Sequence, residues 1–290
     1  MGNKILLNFV AILLAGIFFV INDAIINFLS PLNIKFYHFV FYGTPAFIIV
    51  PIYLIIKSKF KSKMQSTNYY IPIIRGLIFA PMPFITFVTL KNITLPEYTT
   101  LNMSAPIFAM LMALIFLKEK INIYIFLSIL SGFLGVLFVV QPGFENFNIY
   151  FLLVLFGAFL ITITTIILNK YNNTTSTLGF FIYAGLVVHL ISWFFFLLDP
   201  LKISFNIFLF ITIASIFINL AIFLSTYAFQ TSQKYYASIF CLVYLQIIWS
   251  SIIGIIFFKE YLNFIAYLGS FLIVLSGIFS IPAQKKQLNG

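Results

Sequence analysis

Apolar runs of about twenty residues, parted by short polar joints, fill nearly the whole chain. An α-helix of that length, rising 1.5 Å per residue, spans the ~30 Å hydrocarbon core of a bilayer. The pattern predicts an all-α polytopic membrane protein. Its ten transmembrane helices are expected at 5–28, 36–56, 71–90, 96–117, 121–140, 149–168, 177–197, 205–228, 235–258 and 262–281. Only helices suit such runs, because the bilayer core holds no water to satisfy backbone N–H and C=O groups. The first run follows Lys4, as a secretory leader would. No small-x-small cleavage site follows it, so it is expected to remain as a span.

One run is written twice. Residues 105–136, APIFAMLMALIFLKEKINIYIFLSILSGFLGV, return loosely at 246–277 as QIIWSSIIGIIFFKEYLNFIAYLGSFLIVLSG. The joints Phe116-Leu117-Lys118-Glu119 and Phe257-Phe258-Lys259-Glu260 lie 141 residues apart, close to half the chain. Small residues follow each Glu at the same two spacings, Ser128 and Gly135 in one copy, Gly269 and Ser276 in the other. Self-similarity at half length predicts two units, 1–143 and 144–290. Five helices per unit is an odd number, so the second unit enters the membrane upside down. Inverted repeats of this kind mark secondary transporters, whose substrate site lies near the midplane where the repeats meet.

Composition narrows the solvent to lipid. Hydrophobic residues are 62% and charged residues 8%, against about 25% charged in soluble domains. The net charge of +10 does not indicate nucleic acid, because the cations sit in short joints between apolar runs. With the N-terminus inside, Lys4, Lys57, Lys59, Lys61, Lys63, Arg75, Lys118, Lys120, Lys170, Lys234, Lys285 and Lys286 fall on the inner side. Lys35, Lys91, Lys202 and Lys259 fall outside. Twelve against four places both termini in the cytoplasm. The Lys57–Lys63 cluster reads as an orientation signal beside anionic headgroups. The single cysteine, Cys241, excludes an internal disulfide and any multi-cysteine metal site.

Polar groups inside the runs are the candidate substrate site. Asn22 and Asp23 stand well inside helix one, and an ionised Asp in lipid is costly enough that it usually faces a wet cavity. Asp23 would attract a cationic group or carry a coupling proton, with Asn22 beside it. A shift of helix one towards the headgroups is the other reading. Glu97 opens helix four after Pro96, either as a first-turn acid or as a gate or substrate contact. Asn102 and Ser104 lie deeper, before Pro106, which is expected to kink the span, as Pro81 and Pro83 kink helix three. Ile247 stands where the second copy would carry Pro106, so no kink is expected there. In the second copy the deep polar groups are Asn219, Tyr244 and Gln246, with Tyr227 and Gln230 nearer the inner end. Tyr244 and Gln246 are two apart and do not share a helix face. Trp249 could stack on a planar ligand. Tyr227, Tyr244 or Trp249 would supply an aromatic wall. Thr162, Thr164 and Thr165 are expected to bond their own helix carbonyls, and His38 and His189 to lie near helix ends. Ser128, Ser131, Gly132, Gly135, Gly269, Ser270 and Gly277 mark close helix contacts, between the halves or at a homodimer face.

Nothing in the chain supplies a phosphate loop, an H-E-x-x-H pair or a G-x-S-x-G elbow. An enzyme is not expected, and neither is a cofactor or a metal.

The joints, the Ala105-Pro106 and Tyr244-Leu245-Gln246 openings and the run Thr89-Leu90-Lys91-Asn92 together resemble the drug/metabolite transporter superfamily, in its ten-helix EamA-type branch. Asn22-Asp23, Ile74-Arg75-Gly76-Leu77 and Leu168-Asn169-Lys170 are most similar to the S-adenosylmethionine uptake carriers of intracellular bacteria. Where many members have an Arg in helix two, this chain has Tyr42. The resemblance implies a central cavity between the halves and transport without ATP. The expected function is that of a bacterial inner-membrane carrier for a small polar metabolite, such as an amino acid or S-adenosylmethionine. Its partners would be that small molecule and membrane lipids. The rival readings are an efflux carrier for drugs or amino acids, and a non-transporting scaffold. A scaffold would scatter Asn22, Asn102, Asn219 and Gln246 over different sides of the bundle.

Overall fold

The computed structural model describes residues 2–57, 59–118, 122–140, 149–232 and 236–259, and of the stretch beyond them 264–265, 267–269, 271–272, 275–276 and 279. The carboxylates Glu119 and Glu260, the residues Lys120, Lys234, Ser270, Gly277, Lys285 and Lys286, the Lys4 side chain, the 143/144 boundary and most of the expected tenth helix lie outside the described residues.

The described chain is helical. Its elements are α1 (Gly2–Leu29), α2 (Phe36–Ile56), α3 (Phe60–Lys63), α4 (Tyr70–Phe79), α5 (Met82–Leu90), α6 (Leu95–Asn102), α7 (Ala105–Met112), α8 (Ile123–Val140), α9 (Ile149–Lys170), α10 (Thr177–Leu198), α11 (Phe205–Thr231), α12 (Tyr236–Val243) and α13 (Gln246–Ile253). Taken with their kinks, they make eight apolar spans among the described residues, with Ile123–Gly135 a shorter ninth. Side chains on the rim, such as Ile56, Leu197 and Phe257, are more than 70% exposed, as lipid-facing apolar groups are. The Thr44, Thr89, Thr99 and Thr162 hydroxyls each donate to the carbonyl four residues back, which keeps them satisfied in an apolar medium.

The 141-residue offset of the sequence governs the backbone. α2 begins at Phe36 and α10 at Thr177; α6 begins at Leu95 and α12 at Tyr236. Each fourth span of a copy breaks at matching places. At the first break the N–H groups of Met103, Ser104 and Ile107 donate to carbonyls three residues back, at 3.0, 3.1 and 3.0 Å. At the second, Leu245, Ile247 and Ile248 do the same, each at 3.2 Å. The second break corrects the expectation that Ile247 in place of proline would leave the helix straight. The tightened turn is built into both copies, and Pro106 fits one of them without causing the other. Pro81 breaks α4 from α5 as expected. Further on, both spans widen into a π turn, Ala113–Leu117 and Gly254–Phe258, and each turn is closed by a lysine in the left-handed region.

Most packing crosses between copies: α1 runs along α11, α2 along α10 and α11, α4 along α10, and α7 along α9. α1 and α11 are antiparallel neighbours. Phe28 meets Phe210 and Phe18 meets Phe217, both with ring centroids 5.4 Å apart, and Thr231 Oγ1 donates to Asn8 Oδ1 at 2.8 Å. α2 and α10, equivalent elements, also lie antiparallel, and their ends are tied at both faces of the bundle. At one face Ser66 pairs with Thr175 in an antiparallel bridge, Thr67 N donates to Thr174 O at 2.7 Å, and Ser176 N donates to Gln65 O at 2.8 Å. At the other, Lys35 Nζ and the Tyr37 hydroxyl both donate to Asp199 Oδ2, at 2.8 and 2.5 Å, and the Tyr42 hydroxyl donates to Leu201 O at 2.6 Å. Both ties join the copies.

The small residues of α8 mark a contact between the last helices of the two copies. The Ser276 hydroxyl donates to Ser128 O, and Gly132 leaves room for the Tyr244 ring, whose Cε2 would be 2.5 Å from an added Cβ.

Candidate functional site

A cavity of about 230 Å³ lies among α1, α2, α4, α5, α6, α7, α9, α10, α11, α12 and α13. Asn22, Asp23, Asn102, Asn219 and Gln246 all line it, so the four amides expected to scatter on a scaffold face one space. Asn22 is 3% exposed; its Nδ2 donates to Asp23 Oδ1 at 3.0 Å. Among the described residues neither Asn22 Oδ1 nor Asn102 Oδ1 has a hydrogen-bond partner. Among the described residues no cation lies within 4 Å of Asp23. Buried amide oxygens without donors, and a carboxylate without a cation, are costly in low dielectric. A hydrogen-bonding, positively charged group would satisfy them. Asn219 Nδ2 donates to Ser215 O at 2.7 Å. Gln246 opens α13 at the second break and rests over Gly16 of α1, where an added Cβ would be 2.9 Å from Gln246 Cγ.

Four expected residues are not among those lining the cavity. Glu97 closes a capping box: its Oε2 accepts from Thr94 N and Thr94 Oγ1, both at 2.9 Å. It caps α6 at the helix terminus, away from the cavity. Tyr244 is fully buried against α8, its hydroxyl donating to Ile129 O at 3.1 Å. That agrees with Tyr244 and Gln246 lying on different faces. Trp249 is 39% exposed on the outer surface. Tyr227 packs into the apolar cluster of Phe229, Tyr236 and Phe240.

The cavity also holds polar side chains that the sequence reading placed elsewhere. Arg75, counted there among the inner-side loop cations, lies inside α4, 5% exposed, and borders the cavity. Gly76 beside it lets α4 press on the α10 backbone, with Ala184 O 2.7 Å from where a Cβ would stand. His189 lines the cavity from within α10, stacked on Phe47 at 4.2 Å, with Nδ1 bonded to Gly185 O at 2.8 Å. This corrects its expected place near a helix end. Tyr98 lines the cavity with its hydroxyl 2.9 Å from Thr86 Oγ1. Thr164 and Thr165 line it while bonded to carbonyls of their own helix, as expected. An Arg five residues inside an apolar run was a readable signal. Nothing in the local sequence distinguished Tyr98.

Comparison with known proteins agrees with this architecture. Residues 3–141 match the EamA-like transporter family. An uncharacterized transporter of Helicobacter pylori (strain ATCC 700392 / 26695) is 27% identical over 99% of both chains. An S-adenosylmethionine uptake transporter of Rickettsia conorii (strain Malish 7) is 25% identical over 79% of this chain and 77% of its own. A solved crystal structure 14% identical superposes with a TM-score of 0.74 over 98% of this chain and 99% of that one, a likeness of fold. The named relatives are transporters, not enzymes.

Proposed function

We propose that this membrane transporter, whose first half matches the EamA-like family, is a secondary carrier. It moves a small polar metabolite, such as an amino acid or S-adenosylmethionine, by alternating access between two inverted units, 1–143 and 144–290. The observation that carries the reading is the convergence of Asn22, Asp23, Asn102, Asn219 and Gln246 on one cavity, where the helices of both copies meet. Asp23 receives the cationic group of the substrate or a coupling proton. The four amides hydrogen-bond the rest.

Alternating access needs a gate on each side of a central site. The ties at the two ends of α2 and α10 supply one each, related by exchange of the copies. The Lys57–Lys63 stretch and Lys170 lie at the Ser66–Thr175 face, so that face is assigned to the cytoplasm of a bacterial inner membrane. The Lys35–Asp199 face is then outside.

The test is uptake of labelled S-adenosylmethionine and of the L-amino acids into proteoliposomes. At least one is expected to accumulate with wild type and not with Asp23→Asn, at equal protein content. Wild-type uptake by Asp23→Asn removes Asp23 from the site. The same probes in whole cells give the direction.

A further inference from the structure

Arg75 is a buried cation, and among the described residues it has no counter-ion. Its Nη1 donates to Phe180 O and its Nη2 to Thr226 Oγ1, both at 3.3 Å, longer than an ordinary N–H···O bond. Its Nε has no partner among the described residues. Among the described residues no carboxylate lies within 4 Å of it. A guanidinium carries five N–H donors in a planar fork that fits an oxyanion. Two long bonds to neutral oxygens leave most of that capacity unused. In an apolar interior an unpaired charge is strongly unfavourable, and an ionisable group buried within a span marks a site by default.

Its distance from Asp23 follows from α1 and α11. The pairs Phe28–Phe210 and Asn8–Thr231 set the register of the two helices. Thr226, which Arg75 touches, is then about eleven residues below the level of Asp23, or roughly 15 Å at 1.5 Å per residue. The acid and the base border one cavity from opposite ends. The amino and carboxyl groups of one α-amino acid are too close together to reach both.

We propose that Arg75 is a carboxylate-binding station at the Ser66–Thr175 end of the cavity, separate from the cation or proton station at Asp23. The transported metabolite therefore bears a carboxylate. This rests on the carrier reading above and adds the chemical class of its substrate. The carboxylate accepts from the guanidinium fork in a bidentate pair, the strong form of that contact, and replaces the long bonds to Phe180 and Thr226.

The test is thermal unfolding of the purified full chain with matched probes: each L-amino acid against its carboxamide, and S-adenosylmethionine against its decarboxylated form. A carboxylate probe is expected to raise Tm by several degrees while its partner raises it little. Arg75→Gln is expected to abolish the shift and Arg75→Lys to keep part of it. Equal shifts from both members of every pair, an undiminished shift in Arg75→Gln, or no shift from any carboxylate overturns the proposal. The wild-type comparison decides the matter even if Arg75→Gln fails to fold. Transport of carboxamides as fast as carboxylates sinks the Arg75 station and leaves the carrier. Stabilisation by carboxylates without any uptake does the reverse.

Discussion

Ser66 and Thr175 face each other across an antiparallel bridge between the loop after α2 and the loop before α10, with their hydroxyl oxygens 2.7 Å apart. The equivalent tie at the other face joins Lys35 to Asp199. If each tie is a gate, holding either one shut stops the cycle. Paired cysteines at 66 and 175, in a Cys241→Ala background, are expected to oxidise readily and to lower uptake at least tenfold, with recovery on reduction. Uptake that survives complete cross-linking counts against a gate at that face.

The Lys35–Asp199 tie is expected to hold across the physiological pH range. Donation from Lys35 and Tyr37 holds the Asp199 carboxyl below its ordinary 3.8, and Asp199 holds the Lys35 ammonium above its ordinary 10.5. The carboxylate's contribution is therefore present above pH 3.8 and is lost as pH falls through the lowered value. The ammonium's contribution is present below pH 10.5 and is lost only as pH rises through the raised one. A spin-label distance across the tie should stay constant from pH 5 to pH 9. Asp199→Asn should lengthen it by a similar amount throughout. A wild-type distance that changes near neutrality contradicts this assignment.

Cavity residues and capping residues should separate in kinetics. Asn102→Ala is expected to raise KM severalfold, through the loss of one or two hydrogen bonds worth about 1 kcal/mol each. Glu97→Gln keeps a weaker capping contact and is expected to cost under about 1 kcal/mol of stability with KM unchanged. The reverse pattern returns Glu97 to the site.

Gly132 is a packing position. Its Cβ would stand 2.5 Å from the Tyr244 ring and 2.8 Å from Ser276 Oγ. Gly132→Val is expected to destabilise the chain by about 1–3 kcal/mol, read as a lower Tm in detergent. Tyr244→Phe keeps the ring and should lose about 1 kcal/mol while uptake is unchanged. A raised KM in Tyr244→Phe reinstates Tyr244 as a substrate contact.

The spans were legible because their apolar lengths match a bilayer, and the joints because Lys118 and Lys259 close equivalent π turns at φ 51° and 58°. Asn22, Asp23, Asn102, Asn219 and Gln246 stood out because a polar group deep in an apolar run has few reasons to be there. The facing of the aromatics was not legible. Lipid and protein core are equally apolar, so no periodicity shows whether Tyr244 or Trp249 points inward. Arg75 was assigned by its place near the end of a run, yet a long side chain beside Gly76 can turn into the bundle. The second break is not legible, because Ile247 carries no proline signal and both copies tighten at the same step with or without one.

The most direct test of alternating access measures both faces in one protein. Spin labels at Gln65→Cys with Asn173→Cys report one gate, and labels at Leu32→Cys with Lys202→Cys report the other, in Cys241→Ala. On adding whichever probe is taken up in proteoliposomes, the account predicts that one distance grows while the other shrinks. Two distances that stay fixed, or that grow together, contradict it.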